Sequence, residues 1–408
     1  MAEPCLVLFD DAVVQEWHPI TDTRPAGELL FGTMTLRERA ERVFATTCVG
    51  HLSADDLASY AEPGARPVLG KSGVPRDRDV VYLSSRAVPA WPSSPIRLDG
   101  APRRLTIGSE TVGWFAPAGS DAPPPAFFLA PGENAPEAPA LDLDGILLER
   151  PWHLITGNAE QVARDVAFLF PGHARPDLPD GVHVIGDAPL IVGEGAFLEP
   201  GTVLDLRRGP VWLDAGASVA AFTKIAGPSY IGRRTQLLGG PFEAVSIGPV
   251  CKAHGELETS VLLGYTNKSH DGFIGHAYVG AWVNFGAMTT NSDLKNNYSS
   301  VRIWTPGGEV DTGETKLGCL IGDHVKTAIG TLLNTGTVVG TGSNLFGSGI
   351  PPKYVPPFSW GWGDSAVAYE LERFLQSAEM AMSRRDVPLN DGQRTLLERV
   401  WKRARWDS

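Results

Sequence analysis

Residues 321–346 read IGDHVKTAIGTLLNTGTVVGTGSNLF, and in this stretch an aliphatic or small residue recurs at every sixth position. Five successive steps keep the spacing: Ile321-Gly322, Thr327-Ala328, Leu333-Asn334, Val339-Gly340 and Leu345-Phe346. A six-residue step is typical of a parallel β-helix, in which each hexamer is a short strand and a turn. Because one coil cannot bury its inner face alone, the stacking of coils supplies the core.

The same step extends upstream and predicts a β-helix over residues 181–350. Further steps begin at Val192, Leu198, Leu204, Leu213, Val219, Ile225, Ile231, Ile247, Val279 and Phe285. The segment also holds 29 of the 46 glycines, which suits a fold with many tight turns and disfavours a helical bundle. A β-sandwich would space its strands by about 8–12 residues, so the shorter step disfavours that fold as well.

The charge balance is acidic, with 35 Lys and Arg against 47 Asp and Glu and a formal net charge of −12. This balance argues against broad binding to nucleic acid, which needs many cations on the phosphate backbone. No stretch reaches the ~18 apolar residues of a membrane span, so we expect a cytoplasmic protein without a membrane partner. Since the cysteines form no CxxC pair, we expect reduced, buried thiols and no zinc site at Cys5, Cys48, Cys251 and Cys319.

Three further segments surround the β-helix. Residues 5–11 are typical of a buried strand that ends in carboxylates, and residues 33–44 have apolar positions at helical spacing. Seven prolines between Pro117 and Ala140 indicate an irregular crossing, and residues 366–385 are predicted to be helical. The predicted organisation is an α/β domain over 1–115, a Pro-rich crossing with a linker helix over 116–180, the β-helix over 181–350 and a C-terminal helical segment over 351–408.

Residues 264–298 interrupt the regular repeats and concentrate polar side chains, among them His270, His276, Lys268 and Asp293. Acylation of an amine needs a base for the amine proton, hydrogen-bond donors for the oxyanion and cations for any phosphate on the acceptor. A histidine, with an unperturbed pKa near ~6.5, suits the role of the base. We interpret His276 as structural because it points along a coil. Asparagines at coil corners also cap turns, and a histidine can be a satisfied turn residue, so structural roles for Asn284 and His270 stay open.

On these residues the chain resembles the hexapeptide-repeat acyltransferases, whose coils are left-handed and which assemble as trimers. The run KSHDGFIGHAYVGAWVNFGA, residues 268–287, is similar to a motif of the bifunctional enzymes that make UDP-N-acetylglucosamine. This resemblance, over roughly residues 182–350, implies that His270 is the catalytic base, with Asn284 beside it, and that the backbone of Gly286 and Ala287 faces acetyl-CoA. It also implies substrate contacts from Lys252, Lys268, Phe273 (where the family has Tyr), Asn291 and Lys316.

Residues 9–39 resemble the N-terminal domain of bacterial sugar nucleotidyltransferases that is joined to such a β-helix. Thr23-Arg24-Pro25 and the segment from Gly32 to Arg37 carry this resemblance. Ordinary nucleotidyltransferases open with a Gly-rich loop whose backbone N–H groups hold the triphosphate, and this loop is missing here. Arg24 and Arg37 are the candidates to replace its positive charge, with Mg²⁺ as cofactor if nucleotidyl transfer occurs. A purely structural role for this domain stays open.

The sequence therefore predicts a homotrimeric enzyme that transfers an acetyl group from acetyl-CoA to an amino-sugar phosphate such as glucosamine 1-phosphate. The transfer would be coupled to the attachment of a nucleotide. One alternative is a metal enzyme of the γ-carbonic anhydrase type, which needs three convergent His ligands; candidates by residue type alone are His254, His270, His276 and His324. Another is a non-catalytic β-helix whose N-terminal domain senses a sugar nucleotide.

Overall fold

A computed structural model describes residues 3–70, 73–94, 96, 98, 100–120, 122–123, 125–129, 137–363 and 366–404. An N-terminal α/β domain is followed by a parallel β-helix and two C-terminal helices, which confirms the predicted fold class. In the described part of the chain, no helix combines the length and the apolar character that a membrane crossing requires.

The N-terminal domain is built on a mixed six-stranded sheet. Its first strand, Cys5–Phe9, is fully buried and lies between two parallel neighbours. The strand order is Thr47–Leu52, Cys5–Phe9, Val80–Ser84, Glu110–Ala116, Arg103–Ile107 and Ala140–Asp142. The last of these strands begins at Ala140, where the proline-rich stretch predicted to be an irregular crossing ends. The domain also contains the short hairpin of Leu30–Phe31 and Met34–Thr35, and an antiparallel pair of distant strands, Ala87–Pro89 and Gly145–Leu147.

The helix predicted over 33–44 spans Leu36–Phe44, and its start has a local cause. The Thr35 hydroxyl accepts the N–H of Glu38, and the Glu38 carboxylate accepts the N–H of Thr35. This capping box satisfies two backbone donors that a helix start leaves unpaired. The other α-helices are Ala12–Gln15, Pro125–Leu129, His153–Thr156, Asn158–Leu169, Leu371–Ser383 and Asp391–Arg403, with 3₁₀ turns at Ala26–Glu28 and Asp55–Leu57.

The β-helix has three faces of stacked parallel strands. Face 1 contains His183–Ile185, Val203–Asp205, Lys224–Ala226, Pro241–Glu243, Glu256–Glu258 and Phe273–Gly275, followed by the pair Thr290–Asn291 and Leu332–Leu333. Face 2 contains Leu190–Val192, Val211–Leu213, Ser229–Ile231, Ser246–Ile247, Val261–Gly264, Tyr278–Ala281, Cys319–Ile321, Thr337–Val339 and Tyr354–Val355.

Face 3 carries the side chains of greatest interest. It contains Phe197–Leu198, Ser218–Val219, Gln236–Leu237, Lys252–Ala253, Asn267–Lys268, Lys326–Thr327, Asn344–Leu345, Ser359–Trp360 and the antiparallel Val367–Ala368. Asn284 bridges the gap between Asn267 and Lys326 as a single paired residue. A hairpin of Arg302–Thr305 and Gly308–Asp311 leaves the coils between Asn284 and Lys326.

The residues of the six-residue step form the core, as the sequence predicts. Ile321, Val339 and Leu345 are fully buried, and they belong to one continuous apolar cluster inside the coils. Stacked neighbours share their register, for example Leu213 on Ile231. The period therefore translates directly into columns of buried side chains.

The closeness of the stacked coils explains Gly286 and leads to a first prediction. A Cβ atom at this position would lie 2.5 Å from the carbonyl carbon of Ala328. We expect Gly286→Ala to lower the free energy of unfolding by about 1–3 kcal/mol, as overpacking does. Gly307→Ala is the control, since its Cβ would meet only the Thr305 hydroxyl at 3.9 Å. Equal denaturant midpoints for the two variants would contradict this explanation.

The N-terminal domain is anchored on the β-helix by buried polar contacts. All residues from 19 to 34 are buried. The Tyr278 hydroxyl bonds to both the N–H and the carbonyl of Leu30, and the Ser246 hydroxyl donates to the carbonyl of Gly32. Such contacts hold the segment in one position because leaving any partner unpaired would cost its desolvation energy.

Candidate functional site

A groove of about 1220 Å³ runs between face 3 of the β-helix and the helix Leu371–Ser383. One face of this helix is buried through Phe374, Leu375, Ala378 and Met382. The opposite face lines the groove at helical spacing, through Arg373, Gln376, Ser377, Met380 and Arg384. The sequence predicted the helix but not that one of its faces would form a wall of this groove.

The opposite wall is a column of polar side chains on face 3. Register pairing places Lys252, Asn267, Asn284, Lys326 and Asn344 on successive strands. The Asn267 amide donates to Oδ1 of Asn284 at 2.7 Å. Two of the residues predicted from the resemblance, Lys252 and Asn284, thus lie in one groove.

The groove attracts anions. Its lining includes Lys252, Lys326, Arg373, Arg384 and Arg385 but no carboxylate among the described residues. Arg373 is paired with Glu370 at 2.8 Å, whereas within the described chain no acidic side chain lies within 4 Å of the other four. In a chain with a net charge of −12, this concentration of unpaired cations indicates a site for phosphate or another anion.

Behind the groove, His324 is buried and leads to a prediction about pH. Burial, together with the charge of Lys326, lowers the pKa of His324 to about 3. Between the ordinary pKa of ~6.5 and about 3, the unfolded chain binds a proton that the folded chain does not. The free energy of unfolding therefore falls as the pH falls, by up to ~1.4 kcal/mol per pH unit.

We expect His324→Asn to remove this part of the acid destabilisation, and Asn suits the left-handed backbone at φ 59°. Denaturant unfolding of both proteins between pH 7 and pH 4 measures the difference. The exposed His173 provides the control, because His173→Asn should leave the slope of the free energy of unfolding against pH unchanged. If His324→Asn also retains the slope of the unsubstituted protein, the explanation is wrong.

The predicted base, His270, lies exposed at the corner between faces 3 and 1. Its carbonyl accepts a hydrogen bond from Nζ of Lys268 at 3.0 Å, and the carbonyl of His254 accepts another at 2.7 Å. Burial lowers the pKa of Lys268 to about 8. The amino group of Lys268, which was predicted to contact substrate, is therefore hydrogen-bonded to backbone carbonyls, one of which belongs to His270.

Phe273, Asn291 and Lys316 form a second group on face 1, outside the groove. The Asn291 side chain bonds to both the N–H and the carbonyl of Gly275, and Lys316 pairs with Glu258 at 3.3 Å. The Phe273 ring lies beside Gly275, where a Cβ would be 2.2 Å from Cζ of the ring. The structure thus places these three predicted residues together but apart from Lys252 and Asn284.

The same group contains a pair to which the sequence gave no joint role. Nδ1 of His276 and Oδ2 of Asp293 are 2.7 Å apart. Burial raises the pKa of Asp293, but the hydrogen bond and charge of His276 outweigh this effect, so the pKa lies below its ordinary value. The two residues are 17 positions apart, the same separation as Asn267 and Asn284 on neighbouring coils. This separation was the signal that could have revealed the pair.

Arg24 and Arg37 both line a cleft of about 670 Å³ between the N-terminal domain and the β-helix. Arg24 donates to Glu62 at 2.8 and 2.9 Å and to Asp323 at 2.5 Å. Arg37 donates to Glu28 and Glu41, each at 2.7 Å. Carboxylates of the same chain therefore already neutralise both guanidinium groups that were predicted to face a nucleotide.

Asp10 and Asp11 follow the first strand at the carboxyl edge of the sheet, where ligands of open α/β sheets usually bind. Burial raises the pKa of Asp10, which accepts from the Ser53 hydroxyl at 2.5 Å. Asp11 caps the helix that follows and pairs with Arg86 at 2.6 Å. Among the described residues, no three His, Cys, Asp or Glu side chains converge as metal ligands, and Oδ1 of Asp10 is buried there without a hydrogen-bond partner.

Comparison with known proteins supports the two resemblances. Residues 6–173 match a protein family described as sugar nucleotidyl transferase. The chain is 29% identical over 91 residues to a bifunctional sugar-1-phosphate nucleotidylyltransferase/acetyltransferase of Sulfurisphaera tokodaii, which is 22% of this chain and 23% of that protein. It is 33% identical over 88 residues to the bifunctional protein GlmU of Methanococcus maripaludis, 22% of this chain and 21% of the relative. The matches thus span less than a quarter of either relative.

Proposed function

Because residues 6–173 match the sugar nucleotidyl transferase family and precede a β-helix, we propose that the protein is a transferase of sugar-nucleotide synthesis. In this proposal the β-helix transfers an acyl group from acyl-CoA to an amino-sugar phosphate. The observation that supports it best is the groove, in which four cations lack a carboxylate partner among the described residues. The name of the Sulfurisphaera tokodaii relative contains the same pair of activities, nucleotidylyl transfer and acetyl transfer.

The spacing of the groove cations fits an extended ligand with two charged parts. Lys252 and Lys326 are three strand steps apart on face 3. At the usual spacing of parallel strands, their Cα atoms are about 14 Å apart. Acyl-CoA is an extended polyanion with an aromatic base, and Trp360 and Tyr369 in the groove offer surfaces for that base.

The proposed reaction joins an amine to the acyl carbonyl. The amine nitrogen attacks the thioester carbon, the C–N bond forms and the C–S bond breaks, and CoA leaves as the thiol. The resemblance gives the removal of the amine proton to His270. Since Oδ1 of Asn284 accepts a bond from Asn267, Nδ2 of Asn284 is the atom left to donate to the oxyanion.

We also propose a homotrimer, in agreement with the resemblance. Large apolar side chains are exposed at the corner between faces 3 and 1, with Phe222 86%, Ile329 80% and Met288 56% exposed. Such residues on one edge are typical of a protein–protein contact. A trimer would place the group on face 1 of one subunit near the groove of another, and light scattering of the purified protein measures its mass.

A thiol-release assay with acetyl-CoA and a panel of amino-sugar phosphates tests the acyl transfer. We expect at least one acceptor to support thiol release. Lys252→Ala should raise the KM of acetyl-CoA or of the acceptor at least tenfold. Lys402→Ala, on the exposed face of the last helix, should leave both KM values unchanged. This function would be overturned if none of the acceptors in the panel supported thiol release. Stoichiometric zinc or iron in the purified protein would overturn it as well.

Nucleotidyl transfer is the second candidate, and the family match over residues 6–173 favours it. The reaction would join a nucleoside monophosphate to the sugar phosphate and release pyrophosphate, with Mg²⁺ carried by the nucleotide. Pyrophosphate release from a panel of nucleoside triphosphates and sugar 1-phosphates tests it. Absence of release with every pair would leave this domain with a structural role.

A further inference from the structure

Lys326 occupies an unusual position in the floor of the groove. It is half-buried and lies between Asn284 and Asn344 in the polar column. Within the described chain, the only hydrogen bond of its ammonium group is a long one of 3.5 Å to the carbonyl of His324. A buried ammonium group is normally paired with a carboxylate, and no described carboxylate pairs with this one.

The charged groups around Lys326 do not stabilise its ammonium form. The groove in front of it presents Lys252, Arg384 and Arg385. Behind it His324 is neutral at ordinary pH. The Asp323 carboxylate already accepts hydrogen bonds from Arg24 and, at 2.6 Å, from the Thr23 hydroxyl. Burial in these surroundings lowers the pKa of Lys326 to about 8.

The resulting amine is a nucleophile in the groove that we assign to acyl-CoA. At pH 7.5 a lysine with a pKa near 8 is about one quarter neutral, against ~0.1% for an ordinary lysine. Lysines activated by desolvation are a recognised class of covalent nucleophile. Lys268 also has a lowered pKa, but its Nζ is bonded to two carbonyls and does not line the groove.

We propose that Lys326 is a self-acylation site, at which acyl-CoA bound in the groove acylates the protein itself. Nζ of the neutral amine attacks the thioester carbon, the C–N bond forms, the C–S bond breaks, and the proton lost from Nζ leaves with CoA as the thiol. The product is an amide, which removes one of the groove cations and fills part of its floor. Acylation therefore lowers the affinity of the groove for its anionic ligand.

The proposal rests on the proposed function only in placing acyl-CoA in the groove, and it is tested without an acceptor. The full chain is incubated with acetyl-CoA at pH 7.5, and acetylation of each lysine is followed by peptide mass spectrometry. We expect Lys326 to be acetylated at least tenfold faster than Lys252 in the same groove and than the exposed Lys402. Acetylation that follows exposure, with Lys402 ahead of Lys326, would overturn the proposal.

A second measurement separates this proposal from the proposed function. Lys326→Arg keeps the positive charge but cannot be acylated under these conditions. We expect preincubation with acetyl-CoA to slow acyl transfer to an acceptor, measured as thiol release, in the unsubstituted protein and not in Lys326→Arg. Fast labelling of Lys326 without acyl transfer to any acceptor would overturn the acyl-transfer function and support the self-acylation site. Equal slowing in both proteins would contradict the regulatory effect of the modification.

Discussion

Replacement of Asp165 by alanine is expected to lower the free energy of unfolding by about 3–5 kcal/mol, as the loss of one partner from a buried ion pair does. The side chains of Arg39 and Asp165 are 1% and 0% exposed. Arg39 donates to both carboxylate oxygens, at 2.5 and 2.8 Å. The same carboxylate also accepts from the backbone and hydroxyl of Thr33, the Gln161 amide and the Trp91 indole. Its removal leaves the Arg39 charge buried without a counterion.

An ion pair within the helix Asn158–Leu169, which also carries Asp165, provides the control. Arg164 and Glu160 are also bonded, but their side chains are 51% and 70% exposed. Exposed pairs at this spacing contribute about 0.3–0.5 kcal/mol, so Glu160→Ala should be nearly neutral. Urea unfolding of the three proteins at pH 7 measures both effects. A loss below about 1 kcal/mol for Asp165→Ala would mean that the buried network relaxes or admits water.

Replacement of His270 by alanine is expected to lower kcat of acyl transfer by ~10²–10⁴-fold, the usual contribution of a general base. Because His270 is exposed and only its carbonyl is hydrogen-bonded within the described chain, the midpoint of thermal unfolding should not change. Thiol release with acetyl-CoA and the best acceptor of the panel measures the rate. The predicted combination is a large kinetic loss with an unchanged fold.

His276→Asn is the informative comparison for His270. Its backbone, at φ 47°, tolerates Asn, and the substitution removes the imidazole that pairs with Asp293. If His276 is structural, this variant should lose stability and keep most of its activity. A loss of tenfold or less in His270→Ala, together with a larger loss in His276→Asn, would contradict the assignment of the base to His270.

The β-helix was predictable because its physics is local and repeated. Ile321, Val339 and Leu345 report the same six-residue period, and each is buried for the same reason. The helix Leu36–Phe44 was predictable too, since the side chains that cap it, Thr35 and Glu38, are neighbours in the sequence. Where a structural cause spans a few residues or recurs with a period, a single sequence contains it.

The neutralised arginines were not predictable in the same way. Arg24 is paired with Asp323, 299 positions away, and Arg39 with Asp165, 126 positions away. No period or motif links such partners, so the sequence alone could not distinguish an arginine free for a phosphate from one already paired. The wall of the groove formed by Leu371–Ser383 has the same origin, because its position depends on packing between distant segments.

Asn284 and Lys326 are paired neighbours in the column although 42 positions separate them in the sequence. The chain between them leaves the coils, forms the hairpin Arg302–Asp311 and returns one strand step further along. The distance between two side chains of the column thus depends on how many coils lie between them and not on how many residues. Insertions of any length leave the reach of the site unchanged, whereas the gain or loss of one coil changes it by about 4.8 Å. Among proteins built in this way, ligand length should vary in discrete steps.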